Sequence, residues 1–135
     1  MYAASALKAM LGRATTGTVP TELIPIDRIM QRWAVSVGLG LPSEVWDDSP
    51  AARPPPLDDD TATVVDQIVL RCPAKTRRVL NDWYRRPVPT AELAKEFGMS
   101  PRSLQKAHAL ALNFVRWRFE ESRHITLLKL LRVRV

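Results

Sequence analysis

Residues 90–115 read TAELAKEFGMSPRSLQKAHALALNFV, and this stretch decides the predicted fold. Its pattern predicts a helix, a tight turn and a second helix. In the first helix, Leu93, Ala94 and Phe97 recur on one face. Gly98 suits the turn, because glycine adopts a positive φ without the steric cost of a Cβ. We therefore expect a helix-turn-helix.

Residues that favour the start of a helix precede both helices of this stretch. Thr90 follows Pro89, and its hydroxyl is expected to cap the first helix. Ser100 is expected to cap the second helix. Pro101 then falls in the first turn, where no amide donor is needed.

The second helix is predicted to have an inner and an outer face. Leu104 and Ala107 face the first helix, whereas Arg102, Gln105 and Lys106 are polar and face outward. In the major groove of DNA, Arg102 can donate two bonds to guanine and Gln105 can pair with adenine. Lys106 can contact guanine or phosphate. These three residues are the expected base readers.

The other expected DNA-binding residues lie before or at the start of the second helix. The arginines among them suit phosphate contacts, which position a protein on DNA without specifying a sequence. The residues are Arg77, Arg78, Arg85, Arg86, Ser100 and Ser103.

The net charge of +6 hides a strong asymmetry along the chain. Residues 1–70 carry five Lys and Arg against nine acids, a balance of −4. Residues 71–135 carry fifteen against five, a balance of +10. The basic half contains the predicted helix-turn-helix, which indicates a polyanion bound at that end. The alternative is a basic surface without a partner.

Several classes of site find no support in the sequence. The single cysteine, Cys72, excludes an internal disulfide and a cysteine-based zinc site. His108 and His124 are isolated, and Asp58 to Asp60 suit a helix cap and first turn better than a metal loop. There is no phosphate-binding glycine loop and no nucleophile elbow. We expect no enzyme activity, no metal and no cofactor.

The chain is predicted to be all-α. Its parts are an N-terminal helical segment over 1–46, a Pro/Asp-rich linker or loop over 47–60, a helical domain over 61–124 and a hydrophobic-basic tail over 125–135. Helices are expected over 2–11, 26–37, 60–71 and 74–86, with a change of direction at Pro25. The second helix of the helix-turn-helix is expected to continue to about residue 119. The tail fits a strand or a helix, and either packs on the domain or docks a partner.

The sequence also indicates where its tryptophans lie and whether the chain contacts a membrane. Trp33, Trp46, Trp83 and Trp117 each lie in an apolar helical pattern and are expected to anchor the core. His108 is expected on the second helix as a surface or semi-buried residue. No apolar run reaches the roughly 20 residues of a membrane span, and the N-terminus lacks the pattern of a signal peptide. The expected location is the cytoplasm, with no membrane partner.

Four motifs together resemble a known family. They are RWA at 32–34, DDDTATVVD at 58–66, LNDWY at 80–84 and TAELAKEFGMSPRSLQKA at 90–107. In this order they resemble the late-gene antitermination factors called Q of lambda-like bacteriophages, in the small type without a zinc finger. The helix-turn-helix also looks like the DNA-reading region 4 of sigma factors. The resemblance covers roughly residues 30–120.

The resemblance implies a compact helical domain with a sigma-region-4-like helix-turn-helix, a Pro/Asp-rich loop and a short C-terminal tail. Such a factor binds double-stranded DNA at a late promoter and engages bacterial RNA polymerase paused with its sigma factor. It then travels with the enzyme at the RNA exit channel, close to nascent RNA, so that terminator hairpins do not form. The resemblance places it in the host cytoplasm and leaves open whether a second copy joins the complex.

Two other functions remain open from the sequence. One is a conventional helix-turn-helix regulator acting at an operator. The other is an interaction module that uses the helix-turn-helix as a scaffold. The tail and the N-terminal segment depart from the family pattern, which leaves the polymerase contacts undefined.

Overall fold

The computed structural model describes residues 19–36, 54–86 and 88–132. These residues contain six α-helices, one turn of 3-10 helix over Thr21–Leu23, and no strand, which confirms the all-helical class. The helices are α1 (Ile24–Ser36), α2 (Asp59–Leu70), α3 (Ala74–Arg85), α4 (Thr90–Phe97), α5 (Pro101–Ser122) and α6 (Ile125–Leu131). The helix expected over 2–11 and the first half of the linker, residues 47–53, lie outside the described residues.

Helix α1 begins earlier than expected. The prediction placed a change of direction at Pro25, but Pro25 is the second residue of α1. Proline is tolerated there because the first amides of a helix have no intrahelical acceptor. The 3-10 turn over Thr21–Leu23 leads directly into the helix, so the expected bend is absent at this residue.

The acidic run before α2 acts as a cap. Asp58 is the N-cap residue, and its carboxylate accepts hydrogen bonds from the amide and the hydroxyl of Thr61, each at 2.9 Å to Oδ1. These bonds hold the pKa of Asp58 below its usual value. Asp59 and Asp60 occupy the first turn, where negative charge interacts favourably with the helix dipole. The prediction of a cap and first-turn acids is confirmed.

The turn between α4 and α5 agrees with the sequence prediction. Gly98 has φ 68° and ψ 34°, the left-handed conformation. The amide of Met99 donates to the carbonyl of Ala94 at 3.0 Å, which closes the end of α4 in a Schellman arrangement. Ser100 then caps α5 by accepting from the amide of Ser103 at 3.1 Å, and Pro101 is the first helical residue.

The predicted cap of α4 is wrong. Pro89 occupies the N-cap position, Thr90 is already helical, and no side chain caps this end. Pro89 has an extended backbone, with φ −61° and ψ 151°, and its carbonyl accepts from the amide of Leu93 at 3.0 Å. The helix therefore starts one residue earlier than a threonine cap would allow, because the preceding proline already provides the entry geometry.

The tail forms helix α6 rather than a strand over residues 125–131. His124 is its N-cap, and the Nε2 atom of this histidine lies 2.8 Å from Oδ2 of Asp60 on α2. Leu127 is completely buried, and α6 contacts α1 and α5. The part of the tail that the structure describes thus packs back on the domain.

One hydrophobic core joins all six helices, and α5 contacts each of the other five. Trp33 and Trp83 are buried in it, as expected of core anchors. Trp117 is not, since 56% of its surface is exposed, and this prediction is wrong. Trp46 lies outside the described residues. No helix in the described ranges has both the length and the apolar character required to cross a membrane.

Candidate nucleic-acid interface

The outer face of the first two turns of α5 carries the three expected base readers. Arg102 and Lys106 are exposed and Gln105 is half-buried, while Leu104 between them is completely buried. Within the described residues, none of the three side chains forms a hydrogen bond or an ion pair. The structure therefore leaves their donors and acceptors available to an external partner.

The two serines at the start of α5 are exposed but already paired. The hydroxyl of Ser100 accepts from the amide of Ser103 and donates to its hydroxyl, with 3.0 Å between the oxygens. Their first role is to fix the start of the helix. A phosphate contact remains chemically open, because a hydroxyl oxygen can accept a second bond and the Ser103 proton is free to rotate.

The arginines of α3 have intramolecular partners, which the sequence did not indicate. Arg77 Nη1 donates to the carbonyl of Leu70 at 3.1 Å, at the end of α2. The guanidinium group of Arg78 lies 4.2 Å from the centre of the Phe97 ring, in a cation–π contact with α4. Both groups therefore hold neighbouring helices against α3.

Arg86 connects the end of α3 to α4. Its two terminal nitrogens donate to the two carboxylate oxygens of Glu96, at 2.7 and 3.0 Å. This bidentate pair holds the pKa of Glu96 below its usual value and raises the pKa of Arg86. Arg86 was expected to contact phosphate. In the structure, the two donor nitrogens that would bind a phosphate bind the carboxylate of Glu96 instead.

Arg85 is turned toward the body of the protein. Its Nη1 atom donates to Oδ1 of Asn81 at 2.9 Å, and the guanidinium group lies 5.6 Å from the centre of the buried Trp33 ring. Apart from the two serines, which bond to each other, the expected DNA-binding residues divide into two sets. The base readers of α5 are unpaired in the described structure, whereas the α3 arginines must share or exchange partners to reach a phosphate.

Sequence reasoning missed a buried polar network behind this surface. The hydroxyl of Tyr84 donates to Oδ1 of Asp27 at 2.5 Å and lies 2.7 Å from Nε2 of His108. Gln31 donates to the other carboxylate oxygen of Asp27 at 2.9 Å. The His108 ring stacks on Trp83, with 3.8 Å between ring centres. Asp27 and His108 are each 1% exposed, so the expected surface or semi-buried position of His108 is wrong.

This network joins three helices through one hydroxyl group. Asp27 lies on α1, Tyr84 on α3 and His108 on α5. When Asp27 is ionised, the single proton of Tyr84 is committed to that carboxylate, so Nε2 of His108 must act as the donor to the tyrosine oxygen. Burial raises the pKa of Asp27 to about 6, against the opposing effect of the bonds from Tyr84 and Gln31.

A sequence signal for this network existed in the helical register. His108 follows Leu104 by four residues and precedes Leu112 by four, so it falls on the inner stripe of α5. Asp27 lies on the inner stripe of α1, between Leu23 of the preceding 3-10 turn and Met30. A polar residue on an apolar stripe signals a buried, paired group.

Comparisons of the chain with protein-family models, curated proteins and solved structures give no match. The resemblance to the Q antitermination factors therefore rests on the four sequence motifs alone.

Proposed function

We propose that this protein is a transcription antitermination factor that binds a promoter-proximal DNA element. In this proposal α4, the turn at Gly98 and α5 act as a sigma-region-4-like helix-turn-helix. The observation that carries the proposal is the outer face of early α5. This face follows the closed turn and the capped start of α5. It carries Arg102, Gln105 and Lys106, whose side chains have no partners in the described structure.

The chemistry of this face suits DNA. The major groove admits one helix, whose first residues contact base edges through bidentate donors and acceptors. Arg102 and Lys106 supply donors, and the Gln105 amide supplies one donor pair and one acceptor. The balance of +10 in residues 71–135 supports the same partner, because phosphate neutralisation provides much of the affinity for DNA.

The polymerase part of the proposal depends on the family resemblance. The factor binds its DNA element, engages bacterial RNA polymerase paused with sigma, and stays at the RNA exit channel beside nascent RNA. Terminator hairpins then do not form, and transcription continues. This activity takes place in the cytoplasm of the bacterial host. It requires binding surfaces and no catalytic group or cofactor on this chain.

The test combines DNA selection with a readthrough assay. The purified full-length protein first selects its DNA element from a random library. The element is then placed beside a promoter that carries a promoter-proximal pause and is followed by a terminator. Addition of the protein to purified bacterial RNA polymerase holoenzyme should increase the fraction of transcripts that pass the terminator. A template with a scrambled element is the control.

The same assay separates the alternatives. A conventional helix-turn-helix regulator, which the DNA-reading face of α5 supports equally, changes the number of initiated transcripts and leaves the readthrough fraction constant. A scaffold module selects no DNA element. Binding to the selected element should weaken steadily with salt, because each neutralised phosphate releases counterions.

A further inference from the structure

The outer face of α5 beyond the base readers carries large apolar side chains. Leu110 is 71% exposed and Trp117 is 56% exposed, and Phe114 between them is partly buried. Their spacing of four and three residues places them within about 60° of the helix circumference and about 10 Å of its length. We call these three residues the α5 stripe. Burying side chains of this size in a partner removes substantial apolar surface from water.

The charges around the α5 stripe are mostly positive. From Pro101 to Phe119 the sequence contains four Lys and Arg residues and no acid. The guanidinium group of Arg118 lies 5.4 Å from the centre of the Phe114 ring and 5.6 Å from that of Trp117. Two exposed acids, Glu120 and Glu121, follow Phe119, and Glu121 Oε2 lies 3.3 Å from Arg118 Nη1. An apolar centre whose border is mostly cationic is complementary to an apolar surface with an acidic border.

We propose that the α5 stripe is a docking surface that inserts into an apolar groove with an acidic rim on a protein partner. Anchors at positions i, i+4 and i+7 are the pattern with which a helix fills a groove on another protein. The charge complementarity selects an acidic partner. Leu110 favours a protein over a nucleic acid, because an aliphatic side chain gains nothing from contact with phosphate and offers no ring for base stacking.

The stripe and the base readers can act together on one helix. Leu110 lies eight residues beyond Arg102, about 12 Å along the axis, so the first two turns can occupy a DNA groove while the stripe projects past the backbone. This inference rests on the proposed function, in which the protein partner is RNA polymerase or its sigma factor. The stripe would then keep the factor bound to the enzyme after it leaves the DNA element.

The test uses the full-length Leu110→Ala/Trp117→Ala variant and purified bacterial RNA polymerase, as core enzyme and as holoenzyme. Loss of two anchors should weaken polymerase binding at least about thirtyfold. Affinity for the selected DNA element should stay within about twofold, since base readout uses other residues. Both side chains are largely exposed, so the melting temperature should change little.

A matched control removes exposed apolar side chains outside α5. Leu70 on α2 and Ile125 on α6 are 58% and 69% exposed, and the Leu70→Ala/Ile125→Ala variant should bind polymerase like the wild type. Arg118→Glu should weaken polymerase binding, because it places a negative charge on the border that faces the acidic rim. Unequal effects of the two double variants support the stripe, and equal effects overturn it.

The remaining outcomes also decide the question. Retained polymerase binding by Leu110→Ala/Trp117→Ala, with normal readthrough, overturns the stripe and leaves the antitermination proposal intact. Wild-type protein that binds DNA but no form of polymerase overturns both. The stripe is also overturned if the variant loses only self-association, measured by sedimentation, or only binding to a single-stranded RNA probe.

Discussion

The hydroxyl of Tyr84 donates a hydrogen bond of 2.5 Å to the carboxylate of Asp27, 57 residues earlier in the chain. It connects α3 to α1, and its second partner, His108, extends the connection to α5. Because all three side chains are buried, this contact contributes to the position of α5 and therefore to the orientation of the proposed DNA-reading face.

The raised pKa of Asp27 predicts a specific dependence of stability on pH. Its pKa is about 6 in the folded protein and about 3.8 when unperturbed, so folding takes up a proton between these values. The free energy of unfolding should therefore fall as pH rises from 4 to 6, by up to about 3 kcal/mol from this group. Urea unfolding at pH 4, 5, 6 and 7 measures it.

The Asp27→Asn variant should lack this pH dependence, because its side chain does not titrate. The half-buried Gln31 can rotate its amide to present an oxygen to the new asparagine. Glu120→Gln, at an exposed acid of α5, is the control and should keep the wild-type profile. An unchanged profile in Asp27→Asn would contradict the assignment.

Removal of the Tyr84 hydroxyl should destabilise the protein more at pH 7 than at pH 5. The hydroxyl bonds to the carboxylate of Asp27 and to His108, and loss of such a partner costs about 1–3 kcal/mol. The cost is greater when Asp27 is ionised, because the charged form depends more on the donor. Unfolding of Tyr84→Phe at both pH values tests this. The Asp27→Asn background should remove the difference between them.

Substitution of Gly98 should destabilise the protein through backbone conformation and not through a steric clash. Its φ of 68° is unfavourable for residues with a Cβ, yet an added Cβ would have no heavy atom within 4 Å. Gly98→Ala should therefore lower the free energy of unfolding by about 1–2 kcal/mol through the backbone alone. Gly98→Asn should cost less, because asparagine tolerates this conformation better. Chemical denaturation compares the two, and an equal loss would indicate an unrecognised contact.

The base readers of α5 predict separable effects on DNA binding. Arg102→Ala and Gln105→Ala should each weaken binding to the selected element by about 1–3 kcal/mol and relax the base preference at one position. Lys106→Ala should do the same if it contacts guanine, or lower the salt slope by about 0.9 if it contacts phosphate. Lys129→Ala, on α6, is the control cation. If the triple variant bound cognate DNA at full strength, the groove assignment would be wrong.

The Arg86–Glu96 pair predicts that removing an acid improves DNA binding. Glu96→Ala removes the bidentate partner of Arg86 and a negative charge beside it, and leaves Asp82 Oδ2 at 3.8 Å from Arg86 Nη1. DNA affinity should rise several-fold, and the salt slope should steepen by about 0.9 if Arg86 then neutralises one phosphate. Glu92→Ala, an exposed acid in the first turn of α4, separates release of Arg86 from general loss of charge. The same gain in both variants would exclude a specific role for Arg86.

The local features of the proposed site were predictable because they depend on near neighbours in the chain. The end of α4 at Gly98 and the cap at Ser100 are set by backbone conformation and by side chains within three residues. The partners of Arg86 and of His108 were not predictable in the same way. They lie on other helices, and helical periodicity identifies a face without identifying what packs against it.

The sequence by itself determined the helical class, the closed turn between α4 and α5, the acidic cap at Asp58 and the basic character of the second half. These follow from backbone preferences and charges that act locally or add along the chain. Only the tertiary structure decided that His108 pairs with Tyr84 and Trp83 and that Trp117 is exposed. An apolar stripe becomes core only where another helix covers it, and the outer side of α5 at Trp117 is left open to solvent.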